Sequence, residues 1–186
     1  MTPPSSPSPK PKRNKQPCQK DATPQPNANK WVSDGSRWIT QEEASKRVAI
    51  DWHNTLSKGN NERVHWQDRD ALQMLQEKGY YLILLSYSGK ERAEETLKEL
   101  QKQDLLQFFE KVRFTWKKCG QEGKAAYCKE NSIPYLFDDC PEIINECWEM
   151  GYSYTYALRT RHYQHTAGHW HFWQAANQFL LDQGAA

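Results

Sequence analysis

The sequence predicts an α/β domain, a mostly parallel five-stranded sheet with helices on both faces. Three observations carry this expectation. Short apolar runs of strand length alternate with longer stretches whose apolar residues recur every three or four positions. Glycines and capping residues stand where one pattern gives way to the other. The connections between successive strands contain helices, as parallel crossovers require.

Thr40-Gln41-Glu42-Glu43 has the form of a capping box and predicts a short helix to about Lys46. Arg47 to Trp52 reads as a buried strand, with Val48, Ala49 and Ile50 ending on Asp51. Ser57 to Gln67 is polar and contains Gly59, Asn60 and Asn61, so it reads as a loop. Asp68 to Lys78 places Ala71, Leu72 and Leu75 on one helical face and stops at Gly79. Tyr80 to Leu85 is the most apolar strand. Ser88-Gly89-Lys90-Glu91 reads as a second capping box, opening a helix with Ala93, Leu97 and Leu100 on its stripe. Val112 to Trp116 is a strand, Gly123 to Asn131 a short helix, and Pro134 to Phe137 a strand running into Asp138-Asp139. Pro141 fits a first helical position, with Ile143, Ile144, Cys147 and Trp148 facing inward. Tyr152 to Leu158 is the last strand. A final helix from about Ala167 to Asp182 packs Trp170, Trp173, Leu180 and Leu181.

Composition limits the class. The longest apolar run is Tyr80 to Leu85, far short of a membrane span, and the N-terminus has no apolar signal core. The five cysteines then read as reduced thiols in a cytoplasmic or nuclear protein. Residues 1–30 carry net charge +5 and eight of the ten prolines, which leaves −3 for the rest. Residues 1–36 are expected to be a disordered tail and residues 37–186 the folded domain. The run Pro9 to Lys15 fits a nuclear import signal, a weak polyanion contact or a solubilising tail.

Ligands of such sheets bind beyond the carboxyl ends of the strands. Two strands end there in carboxylates, Asp51 on the first and Asp138 with Asp139 on the fourth. Acids gathered at one edge repel unless a cation lies between them, and oxygen ligands suit Mg²⁺. The bland alternative is that these acids cap helices or loops.

Val48-Ala49-Ile50-Asp51-Trp52-His53-Asn54-Thr55-Leu56 resembles the first motif of the haloacid dehalogenase-like superfamily, in which phosphatases predominate. Leu82 to Ser86 is similar to its second motif, Lys124 at a helix start to its third, and Leu136-Phe137-Asp138-Asp139 to its fourth. The resemblance spans about residues 40–160 and implies a Rossmann-like three-layer α/β/α fold. It implies a Mg²⁺-dependent phosphohydrolase in which Asp51 is the nucleophile and forms an aspartyl-phosphate. Asp51, Asp139 and the backbone carbonyl of His53 would hold the ion, with Asp138 assisting. Ser86 would hydrogen-bond a phosphate oxygen, Thr55 would be a further substrate contact, and Lys124 would neutralise charge on the Asp51–phosphate pair. Lys117 and Lys118 stand as alternatives to Lys124.

One position departs from the family pattern. Its phosphatases carry a second Asp two residues after the nucleophile, and this chain has His53. Residues i and i+2 of an extended segment point the same way, so His53 is expected in the site. Imidazole can act as acid and base near neutrality. The change fits equally a catalytically degenerate module that binds a phosphorylated or polyanionic partner.

The superfamily's cap insertions have no room here. Only Ser57 to Gln67 separates the first motif from the next helix, and one crossover separates Ser86 from Lys124. The implied site is open and admits a phosphorylated small molecule or macromolecule. Arg159 and Arg161, with His162, His165, His169 and His171, fit a phosphate-facing rim, a Zn²⁺ site or a solvated turn. Trp52 and Trp66 flank the expected site and are candidate stacking contacts, whereas Cys140 beside Asp139 reads as packing.

Overall fold

The computed structural model describes residues 31–33, 36–58, 63–151, 155–158 and 171–184. A short antiparallel hairpin comes first, β1 (Trp31–Ser33) against β2 (Trp38–Thr40). Sequence patterning gave no sign of it, because three-residue strands are too short to show alternation. Arg37 reaches Glu110 at 3.2 Å and Ser132 donates to the Ser33 carbonyl, which ties the hairpin to the segments entering two later strands. It therefore sits at the end of the sheet opposite the carboxylates.

The α1 helix (Gln41–Ser45) has the expected box: Thr40 Oγ1 accepts the Glu43 N–H, and the Glu43 carboxylate accepts the Thr40 N–H. Then follow β3 (Arg47–Ile50), α2 (Trp66–Glu77), β4 (Tyr81–Tyr87), α3 (Lys90–Lys102), a turn of 3₁₀ helix (Leu106–Phe108) and β5 (Lys111–Thr115). The chain continues through α4 (Lys124–Glu130), β6 (Tyr135–Asp138), α5 (Pro141–Glu149), β7 (Thr155–Ala157) and α6 (Phe172–Asp182). The five main strands lie in the order β5-β4-β3-β6-β7, and every pairing is parallel. The chain therefore has the expected α/β fold, with β3 central.

The two faces of the sheet separate by alternation, since side chains of a strand point to opposite faces. Val48, Ile50, Leu82, Leu84 and Phe137 face α2 and α6. Ala49, Ile83, Leu85 and Leu136 face α4 and α5, where Ala125, Cys128, Ile143 and Cys147 meet them. On the first face Phe137 stacks on Tyr156 and meets Phe172 and Phe179 edge-on. Buried Asp68 of α2 accepts the Trp173 N–H of α6 at 2.9 Å. That bond puts one carboxylate at two helix N-termini, which favours its charge, although burial outweighs this and raises its pKa above the ordinary carboxylate value. No helix among the described residues is long and apolar enough to cross a membrane.

Several local expectations are corrected. The Ser88 box does not form: Gly89 is the N-cap of α3, and the Ser88 N–H joins the Thr115 carbonyl in an extension of the ladder. Strand pairing takes the backbone group that a cap would have used. Leu97, Trp148 and Leu181 are exposed, and Thr96 is buried on α3 in place of Leu97. In α5 the apolar residues wrap further round than the sheet covers, so Trp148 is left outside. The first helical residue of α2 is Trp66 rather than Asp68, with His65 as its cap. The described part of the last helix starts at Phe172, capped by His171.

Candidate active site

The site is built where β3 and β6 end side by side. Ile50 pairs with Phe137, and the Asp51 N–H continues the ladder to the Phe137 carbonyl at 3.0 Å. Strand β3 stops at Ile50 rather than at Trp52, because the chain reverses at once. Asn54 takes the left-handed conformation at φ 62° and gives its N–H to Ser57, while the Leu56 and Ser57 N–H groups bond the Trp52 carbonyl. Asn tolerates that conformation better than most residues. Trp52 and Leu56 anchor the loop by burial in the core. Trp52 is therefore packing, not a stacking contact.

Lys124 is the hub. Its Nζ lies 2.5 Å from Asp51 Oδ1 and 2.7 Å from Asp138 Oδ2, and all three side chains are buried. Burial works against the ammonium charge, but Asp138 and Asp51 overcome it and hold the Lys124 pKa above its ordinary value. Asp138 Oδ1 accepts the Cys140 N–H at 2.9 Å, so both of its oxygens are engaged. Asp139 is partly buried, and the Asn54 side chain hydrogen-bonds it. Asp51, Asp138 and Asp139 each offer a carboxylate oxygen within 4.8 Å of the others. Among the described residues this is the one group of three acid, His or Cys side chains so placed.

The electrostatics follow from that crowding. Burial, then the charges of Asp51 and Asp138, pushes the Asp139 carboxyl up to about 7. Burial and the Asp51 charge push Asp138 up to about 6 against the pull of Lys124. Three acids face one ammonium, and hard oxygen donors at this spacing fit a divalent cation such as Mg²⁺. His53 reaches the same cavity, with Nδ1 3.2 Å from Ser86 Oγ. Burial first, then the nearby Arg92 and Lys124 charges, lowers its pKa to about 4.

The cavity is about 290 Å³ and open to solvent. Asp51, His53, Asn54, Lys124, Asp138 and Asp139 line it, with Tyr87, Lys118, Cys140 and Ile143 on the rim. Ser86 and Thr55 are fully buried and do not line it. The buried Thr55 hydroxyl, in the turn that follows Asp51, has no hydrogen-bond partner. Lys117 is exposed and pairs with Glu122, and Lys118 pairs with Glu142 at 3.2 Å, so neither touches Asp51. Arg159, Arg161, His162, His165, His169 and Trp170 lie outside the described residues. His171 is bonded to Lys58. Trp66 is exposed, but it lies in a separate groove with Met74 and Trp173. Sequence reading missed Asn54 and Tyr87. The signal for Tyr87 was its place directly after Ser86, but the strand was expected to end at Leu85 and runs on to Tyr87.

Gly123 explains how Lys124 is aimed. A Cβ on Gly123 would lie 2.6 Å from the Cys119 backbone and 2.9 Å from the Lys118 carbonyl oxygen. Gly123→Ala must therefore push the 118–119 turn away from the start of α4. The expected result is a loss of about 1–3 kcal/mol in urea unfolding, with a larger fractional loss of activity because Lys124 is the next residue. An unchanged unfolding midpoint would show that the turn yields freely.

No protein-family profile matches the chain, and no characterised protein sequence matches it. Solved structures do align with it. A Thermotoga maritima protein assigned as a β-phosphoglucomutase aligns with 62% of this chain at 17% identity and TM-score 0.48. The match spans 59% of that protein's length. A hypothetical protein from Xanthomonas campestris aligns with 78% of this chain and 87% of its own length, at 16% identity and TM-score 0.49. A HAD-superfamily hydrolase from Ehrlichia chaffeensis aligns with 69% of this chain and 63% of its own length, at 14% identity and TM-score 0.46.

Proposed function

We propose that the chain is a Mg²⁺-dependent phosphomonoesterase that works through an aspartyl-phosphate on Asp51. The observation that carries this reading is the convergence of Asp51, Asp138 and Asp139 on one another around the Lys124 ammonium. The ion would be held by Asp51, Asp139 and the His53 carbonyl, with Asp138 committed to Lys124 and to backbone. When bound, Mg²⁺ neutralises charge on the phosphoryl oxygens. Lys124 holds Oδ1 of Asp51, which leaves the other oxygen to form the bond to phosphorus. The bond from phosphorus to the ester oxygen breaks, and its electron pair goes to that oxygen. His53 is neutral in the free protein, and a phosphate dianion beside it favours proton uptake. The imidazolium then protonates the leaving oxygen. In the second half His53 takes a proton from water as the water oxygen attacks phosphorus, which frees Asp51 and inorganic phosphate. Ser86 acts behind His53 by fixing its ring, rather than on the phosphate.

The test is hydrolysis of an aryl phosphate by the full chain with Mg²⁺ or with chelator. Turnover with the ion and none without it is expected. Equal rates in both conditions would remove the metal from the reading. Thermal unfolding supplies a second readout. Asp138 and Asp139 have folded pKa values raised above the unfolded value, so they contribute stability at low pH that is lost as pH rises through about 6 and about 7. The Tm of metal-free protein should fall from about pH 4 to about pH 7 and level off above. Added Mg²⁺ should raise it more at the higher pH, because it binds the charged carboxylates.

A further inference from the structure

We propose that the phosphate monoester is the end of a single-stranded nucleic acid, whose terminal bases stack on Tyr87 and Trp116 beside the Asp51 cavity. The inference rests on the reading of Asp51 above for its hydrolytic step, but not for its binding step. The cavity, at about 290 Å³, is at the bottom of the roughly 300–1,000 Å³ range of clefts that bury a whole small ligand. A phosphoryl group and part of a sugar fill it, and whatever follows must lie on the rim.

The rim offers aromatic faces, and its lysines stand in ion pairs with glutamates. Tyr87 ends β4, lines the cavity and is 47% exposed. It stands opposite Thr115, the last residue of β5, and Trp116 follows directly and is 60% exposed. The two residues thus leave from neighbouring strand ends, Tyr87 lining the Asp51 cavity and Trp116 the hollow next to it. Neither ring belongs to the two buried core clusters. Trp116 lines a second hollow of about 350 Å³ between β5 and α4, with Arg113, Tyr127 and the acids Glu122 and Glu130. The buried Thr115 hydroxyl in its wall has no partner.

Cations lie along the same path. Lys118 is on the cavity rim, Lys117 precedes it, and Arg113 sits over the Tyr127 ring. Lys117 and Lys118 are held by Glu122 and Glu142 in solvent-accessible ion pairs. Such pairs contribute little, so backbone phosphates can replace the carboxylates. The net charge of +5 on residues 1–30 adds attraction for a polyanion. Stacking faces combined with cations that track a backbone are how single strands are bound without sequence preference. A phosphopeptide uses the cations but not the two π faces, which is why the strand end is favoured.

The experiment uses the full chain with Mg²⁺ and four substrates: 3′-phosphorylated and 5′-phosphorylated single-stranded oligonucleotides, a phosphoserine peptide and an aryl phosphate. One oligonucleotide should exceed both other classes in kcat/KM by roughly tenfold, and the better one identifies the end that is read. Trp116→Ala should raise KM for that oligonucleotide about 5- to 100-fold, while Trp38→Ala, on the remote hairpin, should leave it unchanged. Anisotropy of a labelled phosphorylated oligonucleotide gives a binding readout that needs no turnover. Binding weakened by Trp116→Ala without hydrolysis keeps the strand-end site and discards the Asp51 chemistry. Aryl phosphate turnover with no oligonucleotide preference keeps the chemistry and overturns the inference. So does a preference for the phosphopeptide, or oligonucleotide binding that depends on residues 1–30 and ignores Trp116.

Discussion

Asp51→Asn should lower phosphatase turnover on the order of 10⁴–10⁶-fold, the scale for losing a covalent nucleophile. Acid quenching of the wild-type chain during turnover should trap one phosphoryl group on the peptide that contains Asp51, and the variant should trap none. The size of the effect follows from the geometry. Asp51 is the first residue past the central strand, and Lys124 holds one of its oxygens at 2.5 Å. A carboxamide in that place keeps an acceptor for Lys124 but offers phosphorus no anionic oxygen. The fold should survive the change. Asp138 still pairs with Lys124 at 2.7 Å, and one of three crowded negative charges is removed. The metal-free Tm is therefore expected to hold or rise, which separates lost chemistry from lost structure. Equal rates for wild type and variant would remove Asp51 from catalysis.

The meeting of Asp51 with Asp138 and Asp139 was legible because parallel strands all end at one edge, and the apolar runs before the two motifs identify the strands. Adjacency did the rest: β3 and β6 pair directly, so their last residues come within ion-sharing distance. What sequence alone did not reveal depends on competition between local and tertiary contacts. Ser88 has an ideal local pattern for a helix cap, yet its backbone joins β5 and the cap passes to Gly89. Ser86 turns to His53, a partner 33 residues away that no motif spacing encodes. Trp52 sits between two polar candidates in the sequence but is drawn into the core by the tight turn at Asn54. Tyr87 and Trp116 belong to strand ends, where burial depends on which neighbours close over them.

His53→Ala is the other variant with a large expected effect. Loss of general acid–base catalysis typically costs about 10²–10⁴-fold, and the loss should depend on the leaving group. An alkyl phosphate needs a proton on its departing oxygen and should show the full decrease. An aryl phosphate leaves as a stabilised phenolate and should show less. A uniform decrease across leaving groups would instead assign His53 to shaping the loop. His53→Asp then separates an adapted catalyst from a decayed one. In the wild-type site burial, Arg92 and Lys124 favour the neutral ring, and Ser86 orients it. An aspartate there adds a fourth carboxylate to Asp51, Asp138 and Asp139, and it leaves Ser86 without the ring nitrogen it faces. If the site is built around imidazole, the substitution lowers activity on alkyl phosphates. A tenfold or greater gain would mean that the surrounding groups still suit a carboxylate. His53 would then mark a module that has kept its phosphate site while losing most of its chemistry.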